Sequence, residues 1–415
     1  MKKSLLISTA LLVFASGSAL AQYEDPVNPI VPSLNGINLP WNPTSAKYMY
    51  YDDWDPENTG WFDGFELQYE YNEKGQLIKS TQPSAYGDPT ITTYAYNEDG
   101  MVIKIDNGWN IFEYAYDTVV KDLLISNKTY SMFTGEPMLV NYTTKDITRD
   151  DKGNITKVVR TTGYGEEDEE PEVVIMEMTY GDDGKTSGVK IYYEGEIWGE
   201  YTEMEWYTND GQFFTEDDVE YGISTFVGTA NTIKSCKYVG DEKDQTFVVN
   251  SYDAQTGNFK YTMNGVDTGF GEGRVQTTTK TFGENGSNTT IIESKAWPID
   301  APEDVIESSS EETVKYDKFG LLYFSEQNDE WGDSKVEYTV KYDESNGLPI
   351  EMIEKTEGLE KFVFTNSSTN AVTDFEIDNS NAPVEYYNLQ GVRVAEPSNG
   401  IFIRRQGTKV SKIAL

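Results

Sequence analysis

Phe65-Glu66-Leu67-Gln68-Tyr69-Glu70-Tyr71-Asn72-Glu73-Lys74-Gly75-Gln76-Leu77-Ile78-Lys79 reads as a strand, a tight turn and a returning strand. From Phe65 to Tyr71 apolar side chains hold the odd positions and polar ones the even positions. That period of two is what a strand with one buried face requires. A helix would need apolar residues at i, i+3, i+4 and i+7, and no segment after the first 21 residues supplies them. Asn72 can cap its own backbone, and Gly75 can take the left-handed conformation that a side chain penalises. The chain then returns as the second half of a hairpin.

Working outward, the same grammar recurs. Tyr96–Gly100, Tyr180–Gly184, Tyr207–Gly211, Phe282–Gly286 and Tyr316–Gly320 repeat it, with looser versions at Arg149–Gly153, Tyr252–Gly257 and Tyr342–Gly347. Val336-Glu337-Tyr338-Thr339-Val340-Lys341-Tyr342 shows the same alternation. A single hairpin is marginal alone and needs neighbours to bury its aromatic face, so the repeats predict stacked antiparallel strands.

Composition sets the chemistry that is available. The chain of 415 residues carries 33 Lys+Arg against 71 Asp+Glu, a net charge of −38, with one cysteine and no histidine. Without histidine there is no Ser-His-Asp triad, no Cys-His dyad and no imidazole metal site. Cys236 has no second cysteine for a disulfide and no partner for nucleophilic catalysis, and it reads as a small buried residue. The charge repels phosphate backbones, so nucleic acid is not an expected partner. Aromatic residues make up 13% of the chain, enough buried ring area to offset the ordering entropy of a folded body.

The first 21 residues, with Lys2 and Lys3 before the apolar run Leu5–Ala15 and the A-x-A site Ala19-Leu20-Ala21, predict a signal peptide cleaved before Gln22. No later stretch reaches the roughly 20 apolar residues of a membrane helix. The expected organisation is a signal peptide over 1–21, an N-terminal segment over 22–60, a hairpin body over 61–365, a Ser/Thr/Asn-rich linker over 366–383 and a separate tail over 384–415. The tail carries 5 Lys+Arg and 2 Asp+Glu, the reverse of the body's balance.

Two resemblances follow from these residues. Tyr71–Leu77, Gly87–Thr93 and Tyr94–Gly100 together resemble the YD (RHS-type) repeat, closely over residues 65–104 and more loosely to about residue 365. Gln76 stands where that repeat usually has arginine. The resemblance implies a long, curled antiparallel sheet of hairpins on a secreted bacterial protein. Tyr387-Asn388-Leu389-Gln390-Gly391, Gly400-Ile401-Phe402-Ile403 and Gly407-Thr408-Lys409-Val410 resemble the C-terminal sorting segment of Bacteroidetes-type secreted proteins. That resemblance implies passage through a type IX secretion system, with the tail removed or attached at the surface. It marks Tyr387, Asn388, Leu389, Gly391, Gly400 and Lys409 as sorting residues. The alternative is that these residues form one more hairpin of the sheet, and the terminal Lys412-Ile413-Ala414-Leu415 departs from the usual lysine ending.

Among candidate ligand-binding side chains, Trp54 and Trp61 lie beside Tyr48, Tyr50 and Tyr51, and Trp198 and Trp206 flank Tyr201. Rings on a flat sheet can stack on sugar faces; the alternation equally allows them to form the buried face. Asp52–Gly60 alternates carboxylates as a calcium loop does, but it lacks the central glycine and distant glutamate of an EF-hand and reads equally as an acidic turn. Glu166–Glu170 reads as a solvated loop. No local context raises one carboxylate pair above the others.

The expected fold is all-β, an elongated or curled array of antiparallel hairpins with a short β tail; a propeller or two sandwiches is the runner-up. An outer-membrane barrel is disfavoured by the charge on the outward strand faces. The expected function is a secreted or cell-surface, non-enzymatic protein that binds an extracellular glycan or protein, with the export machinery as the partner of the tail and no cofactor. The alternatives are a glycoside-acting enzyme using a carboxylate pair and a structural envelope component, and the periplasm is the alternative location.

Overall fold

The computed structural model describes residues 30–52, 59–84, 87–121, 123–165, 170–207, 233–240, 243–329, 332–355, 358–366, 384–387, 401–406 and 409–414. Its main body is a closed sheet of 22 antiparallel strands, from Ser45–Asp52 to Glu360–Thr365. Each strand pairs with its neighbours in sequence, and Glu360–Thr365 closes the ring against Ser45–Asp52 in the register Phe362 opposite Tyr48. The expected hairpin array is therefore present, but as a closed cylinder in place of an elongated or curled array. Closure removes both edges, whose unpaired N–H and C=O groups would otherwise template aggregation. The sheet also reaches back to Ser45, inside the segment expected to precede it. Among the described residues the one helical element is the short 3-10 turn Glu284–Gly286, and no helix is long and apolar enough to cross a membrane.

In a ring of consecutive strands, alternate links share an end. Eleven links lie at one end, here the rim; ten links and the seam lie at the other, here the turn end. The recurring Tyr-Asn/Asp-x-x-Gly turns among the described residues fall at the turn end. Their geometry follows the sequence logic. Asn72 Oδ1 accepts the N–H of Lys74 and of Gln76 at 3.0 Å, and Asp150 Oδ1 accepts those of Lys152 and Asn154 at 2.9 and 2.8 Å. Gly75, Gly100, Gly153, Gly184 and Gly320 all have φ between 75° and 89°.

The turn end is also stapled. A bulge falls where the strand meets its turn-starting aromatic, at Tyr96, Tyr116 and Tyr180 among others. It re-aims that side chain toward the preceding hairpin. Tyr96 Oη donates to the carbonyl of Leu77 at 2.6 Å, Tyr116 to Val102 at 2.8 Å and Tyr180 to Ile155 at 2.6 Å. Leu77, Val102 and Ile155 stand at or within 3% of full burial, so each hydroxyl reaches a shielded carbonyl. Burial pushes the phenols of Tyr96 and Tyr180 up to about 12. At Arg149 the aromatic is replaced, and the guanidinium pairs at 2.6 Å with Asp117 in the preceding turn.

Two clusters fill parts of the face turned to the core. One runs from Leu123 to Phe282 around Val189, Ile191 and Ile233, each fully buried. The other brings Leu34 and Leu39 of the N-terminal segment against Leu321, Met352, Phe362 and Leu77. Tyr69 Oη fastens that segment through the Ser33 carbonyl at 2.7 Å, and Trp41 Nε1 reaches Asn366 Oδ1 at 3.0 Å. Between the clusters, strands Asn288–Pro298 and Ile306–Tyr316 contain no buried residue, so solvent reaches both faces of that arc. This is consistent with the size of the ring: 22 strands at about 4.8 Å spacing give a perimeter of about 100 Å, more than inward side chains can fill.

The opposite face carries cross-strand charge ladders. Lys157 stands opposite Glu177, Glu177 opposite Lys190 and Lys190 opposite Glu200. Each pair contributes little to stability, but a face bearing such ladders suits water, since a lysine at mid-bilayer on a barrel costs about 2–4 kcal/mol. Three further strands, Val384–Tyr387, Ile401–Gln406 and Lys409–Ala414, form a separate antiparallel sheet.

Candidate functional site

The ring is asymmetric between its ends. Among the described residues, 23 large apolar side chains are exposed; 18 lie in, or within three residues of, a rim link, four lie at the turn end, and Val248 lies in mid-strand. The two most exposed stand at link tips, Phe133 at 84% and Phe270 at 82%, and Trp109, also at a link tip, is 66% exposed.

These tips are built, not frayed. Asn107 Oδ1 accepts the N–H of Trp109 at 3.0 Å and of Asn110 at 2.7 Å, and Met132 N–H donates to the Trp109 carbonyl at 2.7 Å. The turn under Trp109 is thus tied to the next rim link, which presents Phe133. Phe270 N–H donates to Asp267 Oδ1 at 3.1 Å, and Gly271 O accepts from Ile299 N–H at 2.9 Å. Glu194 and Gly195, at φ 51° and 83°, make the two-residue turn beside Trp198. Exposed apolar side chains gathered at one end of a molecule are a candidate interaction surface.

The tryptophans singled out in the sequence fall into different classes. Trp198 is 45% exposed and belongs to the rim. Trp61 is half-buried near the rim, edge-on to Tyr51 at 5.5 Å, with Lys361 Nζ 5.8 Å from its ring centre. Trp206 does not join them: it is 8% exposed, and its Nε1 donates to the Thr186 carbonyl at 2.7 Å. It occupies the staple position that tyrosine holds elsewhere. The sequence pattern placed that position at Tyr207, one residue late, and a one-residue slip exchanges the faces. Trp54, most of Asp52–Gly60 and Glu166–Asp168 with Glu169 lie outside the described residues, as do the signal-like start, Asn388, Leu389, Gly391 and Gly400. Tyr387 and Lys409 fall on strands of the tail sheet.

Trp109, Phe133 and Phe270 are rim residues that the alternation of the strands does not single out. Their signal was available: Asn107-Gly108-Trp109-Asn110 and Thr268-Gly269-Phe270-Gly271 put a ring where turn chemistry calls for small or polar residues.

One carboxylate lies between two phenols across the seam. Glu360 accepts hydrogen bonds from Tyr48 Oη at 3.1 Å and Tyr338 Oη at 3.3 Å, one at each carboxylate oxygen. Burial first, and then the charge of Glu360, push the Tyr48 phenol up to about 12 and raise that of Tyr338 as well. Two neutral phenols donating to one carboxylate make a buttress across the seam. A groove of about 690 Å³ near the turn end is lined by Asp99, Lys104, Glu113, Tyr114, Asp117 and Lys121. Two of its carboxylates are engaged, Asp99 with Lys121 and Asp117 with Arg149, both at 2.6 Å. Among the described residues no cluster of three acidic or cysteine side chains is arranged to hold a metal ion. Cys236 is buried, and burial pushes its thiol up to about 12, which leaves it un-ionised and unreactive at neutral pH.

No family model and no curated protein matches the chain. Among solved structures, the chain is similar to the crystal structure of TcdB2-TccC3-TEV, at 11% identity and a TM-score of 0.23, over 74% of this chain and 18% of that one. It is similar likewise to the crystal structure of TcdB2-TccC3-Cdc42, at 11% identity and a TM-score of 0.24, over the same shares. The chain thus spans about a fifth of the length of the structures it matches, and superpositions this loose carry neither fold nor function.

Proposed function

We propose that this chain is a secreted or surface-exposed, non-enzymatic binding protein that engages a protein partner through the apolar rim of its cylinder. One observation carries the reading: among the described residues, 18 of the 23 exposed large apolar side chains collect at one end of the ring. A protein partner suits this rim better than a glycan. Ten of the 18 are aliphatic or methionine side chains, such as Ile306, Ile197 and Met138, which offer no flat face to a sugar ring. The signal-like start supports export, and the tail's resemblance to a sorting segment supports delivery to the surface.

The test uses a photo-crosslinking amino acid placed in turn at Phe133, at Phe270 and at Val119, which is 65% exposed at the turn end. The three variants are produced in the source cells. Rim positions should give discrete protein adducts in the surface or medium fraction and Val119 should not. Equal adducts at both ends, or none at the rim, would remove the reading. Fractionation with intact-mass analysis of the same cells reports location and the fate of both termini.

A further inference from the structure

The rim is apolar, but it is also acidic, and the two properties together select a partner. The described link residues of the rim carry seven carboxylates: Asp88, Glu136, Glu170, Glu194, Asp300, Glu303 and Asp304. All seven are exposed. Against them stands one lysine, Lys355, which is tied to Glu337 at 2.6 Å. The charges are interleaved with the apolar side chains. Glu136 lies in the same link as Phe133, Glu194 lies between Tyr193 and Ile197, and Asp300, Glu303 and Asp304 fill the link between Ile299 and Val305.

Burying apolar side chains against a partner also brings these carboxylates toward it. Desolvating an unpaired carboxylate costs several kcal/mol, so a neutral or acidic apolar surface would be opposed by the same groups that surround the contact. A second copy meeting rim to rim would place like charges together. An anionic lipid surface would meet the same repulsion. A segment that alternates apolar residues with lysine or arginine satisfies both features.

Resting on the reading of the rim as a binding surface, we infer that its partner is a cationic, apolar polypeptide segment, whose apolar residues lie along an arc of the rim, that of Trp109 and Phe133 or that of Phe270, and whose basic residues pair with the link carboxylates of that arc. Cation steering over the acidic rim should also speed association at low salt.

The experiment titrates the full-length purified protein with three synthetic amphipathic peptides of one apolar pattern, whose polar positions are all lysine, all glutamine or all glutamate, and with neutral phosphatidylcholine vesicles. The proteins are the parent, the rim variant F133S/F270S and the turn-end control V119S. The lysine peptide should bind the parent and V119S alike. The rim variant should lose about tenfold or more, and raising salt from low to several hundred millimolar should weaken binding about tenfold. Two results would overturn the inference while leaving the rim as a binding surface: a glutamine peptide that binds as tightly as the lysine peptide and depends on Phe133 and Phe270, or rim-dependent binding of the vesicles. Lysine-peptide binding that ignores the rim substitutions would overturn both, because net charge alone would then account for it.

Discussion

Substituting Trp206 and Trp198 by phenylalanine separates a staple from a rim residue within a single strand, Glu196–Trp206. At Trp206 the change removes the indole N–H that reaches the Thr186 carbonyl at 2.7 Å in a site 8% exposed. Losing a buried hydrogen bond and leaving the carbonyl poorly satisfied costs about 1–2 kcal/mol. The smaller ring also leaves ~40 Å³ unfilled, which at ~24 cal/mol per Å³ adds about 1 kcal/mol. The expected loss is about 2–3 kcal/mol. Trp198 is 45% exposed, and W198F should stay within about 0.5 kcal/mol of the parent. Urea unfolding followed by far-UV circular dichroism gives both values from the midpoint shift at constant m. A W206F protein as stable as the parent, or a W198F protein that loses more, would show that the turn-end staples do not hold the ring together.

Three other outcomes are expected. The staple phenols of Tyr96 and Tyr180 have folded values near 12 against about 10 when unfolded, so folding favours the neutral form. Their contribution is complete below pH 10 and lost as pH rises toward 12, and thermal melts across that range should fall together with tyrosinate absorbance. Cys236 should resist a thiol reagent in native buffer at pH 8 and react at once in denaturant; rapid native labelling would contradict its burial. Gly199→Ala should cost about 1–3 kcal/mol because a Cβ there meets the Tyr238 ring, while Gly184→Ala, at φ 78° with open space around it, should cost about 1 kcal/mol from backbone strain alone; a Gly199→Ala protein that melts with the parent would contradict the ring-on-glycine packing.

The strands and turns were legible because their causes are local. Alternation in Phe65–Tyr71 and the Asn72–Gly75 turn each state their geometry within seven residues. Ring closure was not legible, because it depends on pairs such as Thr44 Oγ1 with the Thr365 carbonyl, 321 residues apart, which leave no mark in either segment. The staples were half-legible. Local pattern marks the aromatic before each turn as the end of a strand, but only the bulge at that residue turns its hydroxyl to the previous hairpin. Trp206 shows what was lost, since no local pattern tells which of Trp206 and Tyr207 occupies the bulge. The rim was concealed for another reason: its exposed apolar residues are scattered over ten of the eleven links and come to one end only once alternate links share it.

The seam gives the molecule a mechanical direction. The chain enters the ring at Ser45 and leaves at Thr365, adjacent residues of neighbouring strands at the turn end. Tension applied between those two points would peel Ser45–Asp52 from Glu360–Thr365 one hydrogen bond at a time, the weak geometry for a sheet. Tension between either point and a partner seated on the rim runs along the strands and loads many bonds of the ladder at once. The same cylinder would therefore yield easily when stretched by its own ends and resist when anchored at one end and pulled by whatever it holds.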